Sequence, residues 1–188
     1  MQGKNELRLT MLSMRDNISY QQREQKNKDI LNRLSLIADF IEANVLLPYA
    51  SFRSEVDTWM IMKEWLGRGR RLLLPRVDNR TGSLGIYEVY DIDDLQRSTY
   101  GIMEPDPAKS RNADASEADL ILVPGAVFDL SCNRIGYGKG YYDRLLKNRI
   151  SKAAGLAYDE QIVDSLPTEP HDAVLDMIVT DKRVIKNG

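Results

Sequence analysis

The stretch RIGYGKGYYDR at residues 134–144 places three glycines at alternate positions among cationic and aromatic side chains. Glycines at this spacing let successive backbone N–H groups point into one concavity, and such a concavity binds anions. Arg134 and Lys139 would add full positive charges, and the N-terminal end of a following helix would add a partial one. The pattern therefore predicts a loop that binds phosphate groups.

This loop does not match two widespread phosphate-binding motifs. A Walker A loop requires Ser or Thr after Gly-Lys, whereas Gly140 follows Lys139 here. A dinucleotide-binding fingerprint requires its third glycine at G-x-G-x-x-G, and the glycines here are spaced differently. The alternative interpretation is a surface loop before a helix, with Asp143 in the first turn because acids suit that position. The two cations and two tyrosines among the glycines favour phosphate binding.

The neighbouring elements determine where such a loop would lie. The run ADLILVPGAVFD at 118–129 predicts a buried strand before the loop, and residues 140–148 predict a helix after it. In open α/β sheets, ligands bind beyond the carboxyl ends of the strands. Further strands are predicted at 45–51, 70–77, 82–91, 153–159 and 173–181.

Three further helices are predicted from apolar periodicity and capping residues. They span Lys4–Met14, 18–44 with a capping box at its start, and 54–69 with Ser54 as the N-cap. Strands that alternate with helices predict an open, mostly parallel sheet that is covered on both faces. The segment 101–119, rich in Pro, Asp, Ser and Ala, is interpreted as a surface loop within a single domain, 1–188.

Composition excludes several classes of function. The net charge is −2, so no strong field would draw the chain to nucleic acid or anionic lipid. No apolar run approaches the roughly 20 residues of a membrane helix, and the polar N-terminus lacks the apolar centre of a signal peptide. With Cys132 and His171 as the only residues of their kinds, a catalytic metal would be a hard ion held by carboxylates and phosphates. We therefore expect a cytoplasmic protein without nucleic-acid or membrane partners.

Several segments together resemble one known family. LILVPGAVFDLSCNRIGYGKGYYDRLL resembles the signature of the 5-formyltetrahydrofolate cyclo-ligase family, whose members are also called methenyltetrahydrofolate synthetases. Agreement across ordered segments is more specific than the glycines alone. One departure is Cys132, where the family usually has glycine. The other matching segments are KNELR, YASFRSEVDT, LLLPRV, GIMEP and GLAYDEQIVDSLPTEPHDAVLDMIVTD.

The resemblance implies a three-layer α/β/α fold and a ligase reaction that requires ATP and Mg²⁺. The substrate would be 5-formyltetrahydrofolate, and the products would be 5,10-methenyltetrahydrofolate, ADP and phosphate. Because hydroxide is a poor leaving group, the formyl oxygen would first be phosphorylated, and a neighbouring folate nitrogen would then displace phosphate. The protein would mainly position groups and neutralise charge. We expect reduced folate and ATP as partners and a monomer or weak homodimer.

The resemblance also assigns roles to individual residues. Catalytic roles fall to Arg134, Lys139 and Tyr142, and Mg²⁺ would be held by Asp143 and Asp176. Folate would contact Ala50, Phe52, Glu55, Tyr137, Gly138, Lys139, Gly140 and Tyr141. ATP would contact Lys4, Asn5, Glu6, Leu7, Arg8, Arg134, Ile135, Gly136, Tyr137, Gly138, Lys139, Gly140, Tyr141 and Tyr142.

Each role has a structural alternative. Lys4 and Arg8 lie one helical turn apart and could form a solvated face. Glu55 stands at the first position of a predicted helix, where acids are common. Asp176 interrupts an apolar run, and a buried acid there is costly unless it is paired or binds metal. His171 lies in a predicted loop and is assigned no role.

Two other functions are compatible with an anion-binding α/β sheet. One is an enzyme similar to the sugar-phosphate isomerases, which would need an acid/base pair but no ATP. The other is a non-catalytic sensor domain that binds a phosphorylated ligand or folate. Candidate Mg²⁺ ligands favour the ligase, because a sensor can dispense with them.

Overall fold

The structure, a computed structural model, describes residues 3–78, 80–98 and 101–188. Its helices are α1 Lys4–Asp16, α2 Tyr20–Leu34, α3 Ala38–Glu42, α4 Trp59–Gly67 and α5 Tyr141–Leu146, with 3-10 turns at Ile92–Asp94, Ala115–Glu117 and Asp159–Gln161. Its strands are β1 Val45–Leu47, β2 Arg71–Asp78, β3 Ser83–Val89, β4 Leu95–Arg97, β5 Met103–Pro105, β6 Arg111–Ala113, β7 Leu120–Val123, β8 Val127–Asp129, β9 Arg134–Ile135, β10 Lys152–Leu156, β11 Ile162–Val163, β12 Met177–Val179 and β13 Val184–Lys186.

The described strands form one large sheet and two small ones. The eight-stranded sheet has the order β13-β12-β10-β7-β1-β2-β3-β6. Its central strands β12, β10, β7, β1 and β2 are mutually parallel, whereas β13, β3 and β6 pair antiparallel at the edges. Strands β11-β8-β9 form a separate sheet, and β4 pairs with β5. The predicted open, mostly parallel sheet is confirmed.

The two faces of the large sheet are covered differently. Helices α2, α3 and α4 pack their apolar side chains, including Ile30, Phe40 and Trp65, on one face. On the other face, Leu146 of the six-residue helix α5 and Phe128 of β8 cover the strands. Helix α1 packs instead on the small sheet through Met11. Helices therefore lie on both faces, as predicted, but on the second face the short helix α5 shares the cover with residues of the small sheet.

The single helix predicted over 18–44 is interrupted. Helix α2 begins with the predicted capping box of Ser19 and Gln22 but ends at Leu34. The Ser35 hydroxyl donates to the Asn32 carbonyl at 2.8 Å, a local bond that competes with helical hydrogen bonding. Ile37 is extended, and α3 begins after it.

The helix predicted to begin after Ser54 begins five residues later, at Trp59. Ser54 is not its N-cap, because the Ser54 hydroxyl accepts from Arg15 Nε at 3.0 Å and donates to the Asp16 carboxylate. Glu55 consequently lies in a turn and not in a first helical turn. The structural alternative proposed for Glu55 is therefore wrong.

Two predicted segments contain more structure than expected. The strand predicted over 118–129 is divided by Pro124, Gly125 and Ala126 into β7 and β8, which belong to different sheets. The segment 101–119, predicted to be a loop, contains β5, β6 and a 3-10 turn. No helix within the described ranges is long and apolar enough to cross a membrane.

A carboxylate on β3, next to the edge strand β6, makes stability depend on pH. Glu88 is buried and accepts two hydrogen bonds from Arg71, both at 3.0 Å, and further bonds from Arg111. The Arg71 hydrogen bonds, followed by those of Arg111, lower the pKa of Glu88 below its usual 4.5. The resulting stabilisation is present above the unfolded-state pKa and is lost as pH falls through the folded-state pKa.

We expect Glu88→Gln to lower the free energy of unfolding at pH 7 by about 1 kcal/mol, because water screens the partly exposed arginines. The difference from wild type should shrink towards zero below about pH 4. Urea unfolding at a series of pH values measures it. A constant difference across that range would show that the glutamate acts through packing and not through charge.

Candidate active site

Residues beyond the carboxyl ends of the parallel strands enclose a cavity of about 560 Å³. Tyr49, Ala50 and Glu55 follow β1, Pro124 follows β7, and the glycine-rich loop 136–140 follows β9. Helix α1 and the β2–β3 hairpin contribute further walls. The site therefore lies where ligands bind in open α/β sheets.

The glycine-rich loop leaves its backbone donors available. Gly138 and Gly140 have positive φ angles of 92° and 64°, a conformation that glycine adopts without a steric penalty. Among the described residues, no acceptor engages the N–H groups of residues 136–140. These amides can therefore bind an anion in the cavity. Helix α5, which follows, has only six residues, so it adds little to this site.

Arg134 is the buried cation of the site, with a side chain that is 2% exposed. Its Nη2 donates to Asp143 Oδ1 at 2.7 Å, and its Nη1 donates to the Pro124 carbonyl at 3.5 Å. Burial lowers the pKa of Arg134, and the Asp143 carboxylate partly opposes this effect. Arg134 Nε is buried without a hydrogen-bond partner in the described part of the chain. A side chain at Gly136 would displace this guanidinium, because a Cβ there would lie 2.6 Å from Arg134 Nη1.

Two cations of α1 reach the same cavity. Arg8 Nε donates to the Gly136 carbonyl at 2.7 Å, and its guanidinium faces Gly138. Lys4 Nζ contacts Asp172 at 2.6 Å and Glu169 at 2.8 Å. Both cations therefore face the loop or its neighbouring acids, and the alternative that they form only a solvated face is wrong.

Glu55 and Tyr137 form the polar part of another wall. The Tyr137 hydroxyl donates to Glu55 Oε1, and the Phe52 N–H donates to Glu55 Oε2 at 2.9 Å. Burial raises the pKa of Glu55 above its usual value, and these two donors and the charge of Arg15 only partly oppose that rise. Nearby apolar lining comes from Pro75, Val77, Leu84, Ile102 and Met103.

Most residues predicted for the site line this cavity. They are Lys4, Arg8, Ala50, Glu55, Arg134, Ile135, Gly136, Tyr137, Gly138, Lys139, Gly140, Tyr141, Tyr142 and Asp143.

Four of the predicted contact residues do not line the cavity. Asn5 accepts a hydrogen bond from Arg8 Nη1, and Leu7 packs on the small sheet. Glu6 is exposed in the first turn of α1. Phe52 instead carries the guanidinium of Arg53 over its ring, 5.1 Å from the centroid.

Asp176 and Asp143, predicted to bind one metal ion together, lie in different parts of the structure. Asp176 immediately precedes β12, so it lies at the amino ends of the parallel strands, away from the cavity. Its carboxylate is 2.7 Å from Arg149 and accepts the Ala153 N–H at 2.8 Å. The predicted pairing of these two acids around one metal ion therefore has no geometric support, because Asp176 already has structural partners.

Asp172 lines the cavity and was not predicted. Burial raises its pKa, but the Lys4 and Glu169 hydrogen bonds outweigh burial and leave the pKa below its usual value. Single ligand atoms of Glu169, His171 and Asp172 lie within 4.8 Å of one another. The run TEPHDA did not predict that Asp172 lines the cavity, because a polar loop has no periodicity that indicates which side chains point inwards.

The backbone conformation at Cys132 accounts for the glycine that the family usually has at this position. Its φ angle is 62°, in the left-handed region that favours glycine. Its thiol is buried, and burial raises its pKa to about 11, followed by the charge of Asp129. A protonated, buried thiol is unreactive, so Cys132 is not suited to act as a nucleophile.

Comparisons with known proteins match the chain over nearly its whole length. Residues 1–181 match the sequence profile of the 5-formyltetrahydrofolate cyclo-ligase family. A 5-formyltetrahydrofolate cyclo-ligase of Mycolicibacterium smegmatis is 30% identical over 97% of this chain and 96% of its own length. The corresponding protein of Haemophilus influenzae is also 30% identical, over 93% and 95%.

The solved structures give the same match. The structure of Aquifex aeolicus 5,10-methenyltetrahydrofolate synthetase aligns with a TM-score of 0.87 and 33% identity, covering 98% of this chain and 92% of that one. A synthetase from Mycoplasma pneumoniae shares the fold, with a TM-score of 0.77 over 96% of this chain and 99% of that one, at 24% identity.

Proposed function

Because the chain belongs to the 5-formyltetrahydrofolate cyclo-ligase family, we propose that its cavity closes the ring of 5-formyltetrahydrofolate, with ATP and Mg²⁺. The chain is a ligase of folate metabolism, and cyclisation to 5,10-methenyltetrahydrofolate is the reaction of its relatives. The observation that best supports a role for ATP is the row of unengaged amides at 136–140 in the same cavity as Arg134.

The phosphate groups would bind by an exchange of partners. Lys4 and Arg134 are each paired with a cavity carboxylate, and Arg8 with a backbone carbonyl. Phosphate oxygens offer these cations stronger acceptors than a carbonyl does. The loop amides would hold the terminal phosphates from one side, and the α1 cations would hold them from the other.

The acids released by this exchange fit Mg²⁺. Asp143 and Asp172 line the same cavity, and oxygen donors from one or two carboxylates plus phosphates are the ligands that Mg²⁺ prefers. We propose these two residues as ligands, in place of the pair predicted from sequence. When bound, Mg²⁺ supplies charge neutralisation and orientation of the phosphate oxygens.

The pterin would lie against Glu55. Its carboxylate can accept paired hydrogen bonds from the amino-pyrimidine edge, and the apolar residues beside it suit an aromatic ring. Ala50 and Tyr141 also line this cavity. The formyl oxygen and the terminal phosphate would then meet near the loop.

The chemistry follows in two steps. The formyl oxygen attacks the γ-phosphorus, and the bond between that phosphorus and ADP breaks. The neighbouring folate nitrogen then attacks the formyl carbon, loses its proton, and phosphate departs with the oxygen. Lys139 offsets charge on the moving phosphoryl group, and Arg134 holds the phosphates in line. Tyr142, whose ring lies 5.8 Å from the Arg134 guanidinium, keeps that guanidinium in position.

Product formation tests the proposal directly. Purified protein mixed with Mg²⁺, ATP and 5-formyltetrahydrofolate is expected to generate the ultraviolet band of the methenyl product, with one ADP released per product. Omitting ATP or adding a chelator should each abolish the band. Tight folate binding without product would instead favour the sensor, and turnover of a sugar phosphate without ATP would favour the isomerase. The family matches favour neither alternative.

Glu55→Gln tests the pterin contact. We expect the KM for folate to rise about tenfold to a hundredfold, because a charge-assisted hydrogen bond to the substrate is replaced by a neutral one. The KM for ATP should change little. Steady-state kinetics with each substrate varied in turn measures both values. Equal increases in the two KM values would contradict this role for Glu55.

Two further properties complete the proposal. We propose a cytoplasmic location, which the composition supports. We also propose a monomer or weak homodimer, because the cavity is enclosed by residues of one chain.

A further inference from the structure

We propose that Arg15 is a positioning residue for folate: it acts through Tyr137 to hold Glu55 ionised and correctly oriented. This inference rests on the proposed role of Glu55. Arg15 itself does not line the cavity, so it would act only through the groups that it contacts.

Arg15 is a buried cation that connects three parts of the molecule. Its residue is 5% exposed, although it lies near the end of α1, where arginines are usually solvated. Its Nη1 donates to the Tyr137 hydroxyl at 2.8 Å and to the Gly125 carbonyl at 3.4 Å, and its Nε donates to Ser54. Burying a guanidinium is costly unless it is well paired, so these contacts hold Arg15 in a defined position.

The direction of these hydrogen bonds gives Arg15 its proposed role. A guanidinium can only donate, so the Tyr137 oxygen must accept from Arg15. The Tyr137 proton is then directed to the Glu55 carboxylate. A carboxylate that accepts a hydrogen bond from a polarised hydroxyl keeps its charge and its orientation. The chain Arg15, Tyr137, Glu55 therefore prepares the Glu55 carboxylate before folate binds.

Arg15 is also the cation whose charge acts on Glu55. The ionisable groups that interact with Glu55 are Tyr49 after β1, Tyr137 and Tyr142 from the glycine-rich segment and α5, and Arg15 from α1. The tyrosines are neutral, because the pKa of each lies above its usual value of 10. Without Arg15, burial would act on Glu55 with less opposition.

The first test measures Glu55 in the ligand-free protein. The pKa of its side-chain carboxyl is followed by carbon NMR in wild type, Arg15→Met and Tyr137→Phe. We expect the pKa to rise by about one pH unit in both variants. This readout does not depend on any substrate, so it is informative even if the proposed reaction is wrong. An unchanged pKa in both folded variants would overturn the inference.

The second test is a double-mutant cycle on the KM for folate. With Glu55 intact, Arg15→Met should raise this KM about tenfold. It should also raise the pH at which kcat/KM falls to half its maximum on the acidic side. In the Glu55→Gln background it should have little further effect, because the group through which it acts is already neutral. Arg15→Lys should restore part of the affinity. Equal effects in both backgrounds would show that Arg15 merely supports the fold.

Arg33→Met is the matched control. Arg33 is also partly buried and donates to two carbonyls, those of Thr180 and Asp181, both at 3.2 Å, but it does not line the cavity. We expect it to lower stability without changing the folate KM or the Glu55 pKa. Failure of the proposed function would appear differently, as a wild-type protein that forms no methenyl product although the Glu55 pKa still responds to Arg15→Met.

Discussion

Lys139→Met is expected to lower kcat about a hundredfold to a thousandfold and to leave the free energy of unfolding unchanged. The Lys139 side chain is exposed at the cavity, and no hydrogen bond or ion pair engages its ammonium among the described residues. Its removal therefore leaves no buried group unpaired. The predicted loss arises from charge that develops on the phosphoryl group only in the transition state.

Single-turnover kinetics with saturating ATP separates this effect from binding. Lys147→Met is the matched control, because Lys147 is also exposed and follows α5, but lies outside the cavity. It should keep the wild-type rate. If Lys139→Met raises only the KM for ATP, Lys139 binds the ground state and transition state equally, and its catalytic role is wrong.

Asp172→Asn is expected to change the Mg²⁺ requirement of the reaction, whereas Asp176→Asn is expected to change only the stability of the fold. Asp172→Asn should raise the Mg²⁺ concentration for half-maximal rate by about tenfold to a hundredfold or more, because it removes a carboxylate from the cavity. Asp176→Asn should leave this concentration unchanged and lower the free energy of unfolding by about 1 kcal/mol, since Arg149 loses its charged partner and keeps only backbone carbonyls.

Mg²⁺ titrations of the steady-state rate, together with urea unfolding, measure both quantities in both variants. The comparison distinguishes the two assignments of the second metal ligand. If Asp176→Asn shifts the Mg²⁺ requirement and Asp172→Asn does not, the assignment taken from the family resemblance is right and the one taken from the cavity is wrong. Asp143→Asn serves as the reference, since both assignments require that residue.

The sequence predicted the loop well because its signal is local. The conformation of alternating glycines depends on few neighbours, and the strand before and helix after 134–140 have clear apolar patterns. Gly138 and Gly140 indeed adopt the positive φ angles that only glycine tolerates easily. The family resemblance supplied the roles of the other cavity residues.

The structure differs from the sequence-based expectations at side chains whose partners lie far along the chain. Ser54 has the residue type of an N-cap, but Arg15 and Asp16 take its hydroxyl. Asp176 has the appearance of a costly acid in a buried strand, but β12 begins one residue later and Arg149 pairs with it. Such pairings become visible only when the chain is folded, because local propensity does not encode them.

The ion pairs that link Lys4 to Asp172 and Arg134 to Asp143 also bear on the end of each catalytic cycle. Asp172 and Asp143 bind the same two cations that the phosphate groups of a nucleotide would bind. If Lys4 and Arg134 bind phosphate groups as proposed, re-formation of these two ion pairs would compete with ADP and phosphate after the reaction and would favour product release.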